Sequence, residues 1–335
     1  IRCLGRSGKH RGAGGSAARV VGPAGGDTVS AGNGAPLKVA MVGYGFMGAA
    51  HSQGWRVAPR FFALDRQPVM QVIVGRTADA TQAAAQQFGW AESATDWRDI
   101  IARDDIDIVD IVTPGDSHAE IAIGALNAGK HVLCEKPLAN SVEQARAMAD
   151  AAARAAQRGV FAMTGFTYRR VPAATFARDL VAAGRLGELR QVRAVYLQDW
   201  LTNPDAPLVW RLRKELAGSG ALGDIGAHII DLSQFITGQR LTTVSGTIET
   251  VTSERPIAGK AAALGLDPTA TRGKVTVDDV ALFTGRFDSG MLGQFEATRF
   301  ATGRKNALRI EVSGSDGGLA FDLEDLNTLQ FYDGT

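Results

Sequence analysis

The sequence predicts an α/β protein of two domains, in which a parallel sheet is followed by a large, mainly antiparallel open sheet. Three observations support this. The chain has 335 residues, which is long for one hydrophobic core. Short apolar runs alternate with helical patterns from residue 37 to residue 165, and longer strand-like runs follow a break near residues 166–172. We therefore place one domain at 37–165 and the other at 166–335.

In the first domain, short apolar runs predict buried parallel strands at 37–42, 69–74, 106–112, 131–134 and 160–164. Helical patterns lie between them at 79–88, 118–128 and 141–158. Ser141 is the predicted N-cap of the last helix, with Gln144 at its third position. Strands that alternate with helices in this way form a parallel sheet with right-handed crossovers.

The second domain begins with a predicted helix from Pro172 to about Gly184, and a second helix is predicted at 221–236. Strand-like runs surround that second helix at 189–198, 242–252, 280–287, 291–297, 307–312 and 319–321. Asp288-Ser289-Gly290 is a tight-turn sequence between two of these runs, so it predicts a hairpin.

Composition argues against several classes of partner. The net charge is +1 without a long run of one sign in the body of the chain, which disfavours nucleic acid and membrane surfaces. Cys3 and Cys134 are too few for a disulfide framework, and no stretch reaches the roughly 20 apolar residues of a membrane span. We expect a cytoplasmic protein, and we predict no metal site.

The two ends of the sequence differ from its body. Residues 1–36 are rich in Gly, Ala and Ser with scattered Arg and Lys, which predicts a disordered tail without a secretory signal. The sequence stops at Thr335, directly after a strand-like run. We therefore expect the second domain to be truncated at its C-terminus.

The segment Gly43-Tyr44-Gly45-Phe46-Met47-Gly48 closes the first strand and opens a helix. Gly43 permits a tight turn, Gly45 lets the backbone approach a pyrophosphate, and Gly48 lets the helix pack close to the strand. The helix N-terminus, with Phe46 and Met47 in its first turn, then faces the phosphates. A glycine turn without a ligand is the alternative, but the strand-turn-helix context favours a dinucleotide site.

The second strand ends in Gly75-Arg76-Thr77, where an acidic residue for the ribose hydroxyls would normally follow. Arg76 suits a 2′-phosphate or stacking on adenine, and a surface arginine on a loop is equally compatible with the sequence. The choice between NAD and NADP is therefore open.

Two further segments follow strands at the carboxyl edge of the predicted sheet, where ligands bind in such folds. Thr113, Pro114 and His118 would border the nicotinamide half of the cofactor, although helix capping also explains His118. Glu135 and Lys136 follow the next strand, and a lysine close to a nicotinamide ring can hold or donate a proton. A solvated loop is the alternative for that pair.

A glycine-rich run from Gly218 leads into a helix that carries Asp224 and His228 four residues apart. This spacing predicts that both side chains lie on one helical face. A carboxylate beside an imidazole fixes its tautomer and raises its basicity, which suits a general base for an alcohol proton. Asp231 is an alternative partner for His228, and a surface Asp/His pair is the simpler explanation.

Taken together and in this order, the motifs resemble the glucose-fructose oxidoreductase/inositol dehydrogenase/MocA (Gfo/Idh/MocA) family from about Leu37 onwards. The resemblance implies a Rossmann domain followed by an α/β domain with a large open sheet. It also implies that NAD or NADP is used to oxidise or reduce a hydroxyl or keto carbon, usually on a sugar or cyclitol. Lys136, Asp224 and His228 match the catalytic lysine, aspartate and histidine of the family.

Several segments further resemble the levoglucosan dehydrogenase branch of that family, namely Tyr168-Arg169-Arg170, Gln198-Asp199-Trp200, Trp210-Arg211 and the run from Thr298 to Arg304. The resemblance implies a substrate pocket lined by aromatic and polar side chains, because aromatic faces pack on sugar C–H surfaces. The candidates are Tyr168, Arg169, Asp199, Trp200, Trp210 and Arg211. Packing in the core or at a rim is the alternative for each of them.

The expected function is thus that of an NAD(P)-dependent oxidoreductase acting on a sugar, anhydrosugar or cyclitol. Two other functions share the fold, a regulatory protein that binds NAD(P) without turnover and a nicotinamide-dependent glycoside hydrolase. A broad antiparallel sheet needs its outer face covered, so we also expect a homodimer or homotetramer through the second domain.

Overall fold

The computed structural model describes residues 2–3, 34–257 and 271–334, and these contain two large sheets. The strands up to the end of the first domain are β1 (Arg2–Cys3), β2 (Leu37–Val42), β3 (Pro68–Val74), β4 (Glu92–Ala94), β5 (Ile108–Ile111), β6 (His131–Cys134) and β7 (Ala162–Thr164). The helices are α1 (Phe46–Phe61), α2 (Ala78–Phe88), α3 (Trp97–Ile101), α4 (His118–Asn127) and α5 (Val142–Ala156).

The first sheet has the order β4-β3-β2-β5-β6-β7, and all its strands are parallel. Its central strands are apolar because both faces are covered: Val39, Ala40 and Met41 are 0% exposed. Separate apolar clusters lie on the two faces. Ser141 caps α5 by accepting a hydrogen bond from the Gln144 amide at 3.2 Å, as predicted.

The later elements are α6 (Pro172–Ala182), β8 (Leu189–Leu197), α7 (Lys214–Ala217), α8 (Ala227–Thr237), β9 (Leu241–Glu249), β10 (Glu254–Pro256), β11 (Arg272–Lys274), β12 (Val280–Phe287), β13 (Leu292–Thr298), β14 (Ala307–Gly314), β15 (Gly317–Asp322) and β16 (Leu329–Asp333). The second sheet has the order β1-β16-β15-β14-β8-β13-β12-β9. Pairing is parallel between β8 and β13 and between β1 and β16, and antiparallel between the other neighbours. The predicted fold class is therefore confirmed.

One face of the second sheet is covered by α6 and α8, which pack on it through small and branched apolar side chains such as Ala177 and Ile229. The opposite face is open along β12 and β13, where Leu282 is 43% and Leu292 is 47% exposed. The hairpin predicted at Asp288-Ser289-Gly290 joins β12 to β13, and Gly290 takes a positive φ of 89° in the turn. The predicted residues Asp224 and His228, just before and in α8, therefore lie on the helix-covered face of this sheet.

The predicted tail lies mostly outside the described residues. Arg2–Cys3 form β1 and pair in parallel with β16, which the composition did not predict. The physical reason is that β16 would otherwise be an edge strand, and an edge presents unpaired backbone groups to any extended segment within reach. Among the residues that the structure describes, no helix is long and apolar enough to cross a membrane. The division of the chain at residue 166 stays a prediction.

Candidate active site

Three glycines shape the turn between β2 and α1. Gly43 has a φ of +109°, which L side chains rarely adopt. A Cβ on Gly48 would lie 2.9 Å from the carbonyl oxygen of Gly43, so the helix packs directly on the turn. A Cβ on Gly45 would meet no atom of the described residues within 4 Å. Open space therefore lies in front of the N-terminus of α1, where backbone N–H groups bind phosphates.

Phe46, Met47 and Arg76 lie around this turn in different environments. Phe46 is 81% exposed, whereas Met47 packs on the apolar cluster beneath the turn. The ring of Tyr44 covers the end of β3 so closely that a Cβ on Gly75 would lie 2.0 Å from it. Arg76 follows as an exposed side chain. The end of β3 thus presents an arginine, beside the glycine turn, where an acidic residue is usual.

His118 is turned inward, away from the position predicted beside a cofactor. It is 1% exposed, its Nδ1 lies 3.0 Å from the carbonyl oxygen of Pro137, and its Nε2 lies 2.9 Å from that of Thr113. A neutral imidazole can donate to only one of these two oxygens. His118 therefore joins the loop after β5 to the loop after β6. Pro114 is exposed in the first of these loops, where the Thr113 hydroxyl accepts a hydrogen bond from Ser117.

Glu135 is a buried residue that belongs to a cluster the sequence analysis did not find. It is 5% exposed, and its Oε1 lies 3.0 Å from Nε2 of His51 on α1. Asp110, at 0% exposure on β5, lies 3.0 Å from Nδ1 of the same histidine. Glu135 therefore lies inside the first domain, bound to a side chain of the helix that follows the glycine turn.

Lys136 connects the two halves of the site. Its Nζ donates to the backbone oxygen of Asp224 at 2.6 Å and lies 3.3 Å from Oδ1 of the same residue. Lys136 follows β6, and Asp224 lies in the turn that leads into α8. The structure thus brings together two predicted residues that are 88 positions apart in sequence.

Asp224 and His228 do not pair, contrary to the prediction that the carboxylate holds the imidazole. The segment Leu222–Gly226 is a single π-helical turn, and the regular α-helix begins at Ala227. Lys136 and Arg299 bind the two carboxylate oxygens of Asp224 instead, so the carboxylate does not bond the imidazole. Asp231 does not replace Asp224, because both of its oxygens are held by the guanidinium of Arg169.

The carboxylate of Asp224 lies instead among cations. Its Oδ2 is 3.8 Å from Nη1 of Arg299, which is 0% exposed, and its Oδ1 faces Lys136. Burial raises the pKa of Asp224, but the charges of Lys136, Arg299 and Arg211 outweigh that effect and lower the pKa below its usual range. Asp224 is therefore an anion bound to Lys136.

His228 lies among aromatic rings. Its ring centroid is 4.7 Å from that of Tyr168, 5.9 Å from that of Tyr196 and 6.1 Å from that of Phe166. His228 is 9% exposed, and its buried Nδ1 has no hydrogen-bond partner among the described residues. Burial and then the charge of Lys136 lower the pKa of His228 to about 3, despite the opposite effect of Asp224. The imidazole is therefore neutral at neutral pH.

Tyr168, Trp200, Trp210 and Arg211 supply aromatic and cationic surface on the second domain. The Tyr168 hydroxyl bonds that of Tyr196 at 2.7 Å, and Trp200 donates to Gln198 at 3.0 Å. The guanidinium of Arg211 stacks 4.5 Å above the ring of Trp210. The Arg211 charge acts on Asp224, which places this pair on the site side.

Two of the predicted substrate residues are already bound by other side chains. Arg169 forms an ion pair with Asp231, and its guanidinium lies over the ring of Phe235 at 5.6 Å. Asp199 accepts hydrogen bonds from Lys305 at 2.7 Å and from the amide of Gly303 at 3.1 Å. Both therefore stabilise the walls of the site in this structure.

Family models match most of this chain. Residues 37–164 match a model described as an oxidoreductase family with an NAD-binding Rossmann fold, and residues 175–320 match the GFO/IDH/MocA C-terminal domain. The chain belongs to the GFO/IDH/MocA oxidoreductase family. It is thus an NAD-binding oxidoreductase, as the order of the motifs predicted.

Relatives of this family member include named enzymes. Levoglucosan dehydrogenase of Pseudarthrobacter phenanthrenivorans is 42% identical over 298 residues, which are 88% of this chain and 75% of that protein. The 1,5-anhydro-D-fructose reductase of Ensifer adhaerens is 34% identical over 254 residues, 74% of this chain and 66% of that protein.

Solved structures of the family superpose well on this chain. An oxidoreductase domain protein from Kribbella flavida has 61% identity and a TM-score of 0.85 over 90% of this chain and 77% of that one. Levoglucosan dehydrogenase in complex with NADH and L-sorbose has 40% identity and a TM-score of 0.83 over 90% of this chain and 76% of that one.

Six residues that support the site from a distance are absent from the predicted set. They are His51, Trp55, Asp110, Tyr196, Arg299 and Asn306. His51 lies in α1 and Asp110 in β5, and neither belongs to a recognisable sequence motif. No local sequence pattern therefore predicts their pairing. Arg299 carried a signal that was not used, since it lies in the run from Thr298 that resembles one branch of the family.

Proposed function

We propose that this family member transfers a hydride between NAD(P) and a hydroxyl or keto carbon of a sugar, anhydrosugar or cyclitol. The observation that carries the proposal is the convergence of Lys136, Asp224 and His228 at the carboxyl edge of the first sheet. The names of the relatives favour an anhydrosugar or a related pyranose, since levoglucosan dehydrogenase and an anhydrofructose reductase are among them.

The first domain has the features needed to hold the cofactor. The open space at Gly45 and the N-terminus of α1 would receive the pyrophosphate, and Thr113 and Pro114 would border the nicotinamide half. When bound, the nicotinamide supplies the hydride acceptor or donor. Arg76 would interact with the ribose or a 2′-phosphate, so both NAD and NADP stay candidates.

His228 is the proposed general base. Its ring is neutral at neutral pH, and its buried Nδ1 has no hydrogen-bond partner among the described residues. Lys136 would donate a hydrogen bond to the reacting oxygen and stabilise its developing negative charge. Asp224 would keep Lys136 oriented, because it contacts the side-chain amine rather than the imidazole. This assigns to Asp224 a different role from the one that the sequence predicted.

The second domain offers surfaces for a carbohydrate. Trp200, Trp210 and Tyr168 present aromatic rings that suit sugar C–H faces, and Arg211 offers hydrogen-bond donors. Arg169 and Asp199 would shape these walls through their ion pairs and would contact the substrate only after a rearrangement.

The test is a kinetic panel. The purified protein is given NAD or NADP with anhydrosugars, aldoses and inositols, and the absorbance of reduced nicotinamide is followed. Net reduction with one of these substrates is expected. Binding of NADH without turnover of any substrate would favour a regulatory protein. Release of a sugar from a glycoside without net reduction would favour a glycoside hydrolase.

The proposal also includes a homo-oligomer and a cytoplasmic location. The open face of the second sheet carries exposed apolar side chains, including Leu282 and Leu292, that a second copy would cover. We therefore expect a homodimer or homotetramer, and a monomeric mass in light scattering would contradict it. A cytoplasmic location agrees with Cys134, which is buried and unpaired in the structure.

A further inference from the structure

His51 is a largely buried side chain, 12% exposed, placed between two carboxylates of the first domain. Its Nδ1 lies 3.0 Å from both oxygens of Asp110, and its Nε2 lies 3.0 Å from Oε1 of Glu135. Trp55, one turn later on α1, donates to Oδ2 of Asp110 at 2.7 Å. The three elements that meet here are α1, β5 and the end of β6.

The charge of this cluster follows from its geometry. Each ring nitrogen of His51 faces a carboxylate, and only the protonated ring can donate on both sides. Burial lowers the pKa of His51, but the hydrogen bonds and charges of Asp110 and Glu135 outweigh it and raise the pKa to about 10. Cys134 beside the cluster stays a neutral thiol, because burial and the same carboxylates raise its pKa to about 12.

Glu135 links this cluster to Lys136. While Oε1 faces His51, Oε2 accepts a hydrogen bond from the backbone amide of Lys136 at 3.2 Å. The carboxylate is also confined by Gly165, where a Cβ would lie 2.8 Å from Oε1. Glu135 is therefore held on three sides, and its position fixes where the chain turns into Lys136.

We infer that His51 is a positioning residue, which sets Lys136 relative to the glycine turn by clamping Glu135. His51 lies one helical turn after Gly48, so a single helix carries both the turn that faces a dinucleotide and the group that holds Glu135. The inference rests on the proposed function of Lys136. Misplacing a reacting group by about 1 Å can reduce a rate about 100-fold, so this clamp has a kinetic consequence.

The test compares His51→Gln, Glu135→Gln and Lys136→Met in the full chain, with His131→Gln as a matched histidine control at the opposite end of β6. For His51→Gln we expect kcat to fall about 100-fold while the dissociation constant of NADH, measured by its fluorescence, changes less than about five-fold. Glu135→Gln keeps an acceptor for His51 and should fold even where His51→Gln does not. It should lower kcat about ten-fold.

A double-mutant cycle separates positioning from general destabilisation. If His51 acts through Lys136, its replacement in the Lys136→Met background should cause no further loss of kcat. Multiplicative losses, or a lower Tm with unchanged kcat per folded enzyme, would overturn the inference. A Lys136→Met protein with wild-type kcat would instead overturn the proposed function.

A structural readout does not depend on turnover. In a crystal structure of His51→Gln or Glu135→Gln, the 2.6 Å bond from Lys136 Nζ to the Asp224 oxygen should be lost or lengthened. An unchanged Lys136 position in both variants would overturn the inference, even if no substrate in the panel is turned over.

Discussion

Two buried histidines, one in each domain, lie in opposite electrostatic environments. Burial lowers the pKa of both rings, yet the pKa of His51 is raised to about 10 and that of His228 is lowered to about 3. The difference comes from the neighbours: His51 faces Asp110 and Glu135, whereas His228 faces aromatic rings and the charge of Lys136. Burial alone leaves a histidine neutral, and carboxylate partners reverse that effect at His51.

The two regions also differ in how completely their polar groups are satisfied. Both nitrogens of His51 have partners, and Asp110 accepts from two side chains. Around His228, by contrast, buried polar atoms without a hydrogen-bond partner occur among the described residues, including Nδ1 of His228 and Nη1 of Arg299. A satisfied cluster holds structure, whereas unpaired buried groups are kept where a ligand can complete them.

The largest effect is expected at His228. Replacing it with Asn removes the proposed base, so kcat should fall about 10²- to 10⁴-fold while the affinity for NADH, measured by fluorescence, changes little. His131→Asn serves as the control and should retain wild-type kcat. If His228→Asn retained most of the activity, His228 would not be the general base, and the reaction would not take place beside it.

In the cluster around His51, by contrast, we expect a substitution to lower the free energy of unfolding. Asp110→Asn leaves the His51 cation with one carboxylate, and breaking a buried ion pair in this way costs about 3 kcal/mol of unfolding free energy. Denaturant titration should show this loss. Asp105→Asn, which removes an exposed partner of Lys38, should cause a much smaller change. Equal losses in the two variants would contradict the special role assigned to the buried cluster.

The opposite pKa shifts predict opposite pH dependences of stability. A raised folded-state pKa means that the contribution of His51 is complete below pH 6.5 and is lost as pH rises through about 10. For His228 the folded-state pKa is depressed, so the unfolded chain binds the proton first, and stability falls as pH drops from 6.5 towards 3. Each slope is at most about 1.4 kcal/mol per pH unit.

Unfolding free energies of the wild type, His51→Gln and His228→Gln across pH measure these slopes. The difference between wild type and His51→Gln should shrink as pH rises from 6.5 to about 10, because the wild type loses the contribution of His51. His228→Gln should lose less stability than the wild type between pH 6.5 and pH 5. Parallel curves for all three proteins would show that neither histidine changes its proton affinity on folding.

How much of this the sequence could predict depends on the range of each interaction. The glycine turn, the Ser141 cap and the Asp288-Ser289-Gly290 hairpin are local, so a few neighbouring residues specify them. The pairing of Lys136 with Asp224 spans 88 positions, and the sequence placed them together only through their resemblance to a family. No local sequence pattern predicts the cluster around His51.

The sequence also failed where cations from distant segments compete for a carboxylate. The four-residue spacing of Asp224 and His228 predicted that the carboxylate holds the imidazole. The chain takes a π turn at Leu222–Gly226, and the carboxylate of Asp224 is bound by Lys136 and Arg299 instead. Single π turns occur often at functional sites, and periodicity alone does not detect them.

The smallest effect is expected at Tyr196, and it distinguishes packing from hydrogen bonding around His228. Tyr196→Phe removes a hydroxyl that bonds Tyr168 and Asn306, each at 2.7 Å, but it keeps the ring 5.9 Å from the imidazole. Unfolding free energy should fall by about 1 kcal/mol. Because apolar burial is the first cause of the low pKa of His228, NMR titration should still find a neutral imidazole at pH 6. A protonated ring at that pH would show that the tyrosine hydroxyls, rather than the aromatic packing, keep His228 neutral.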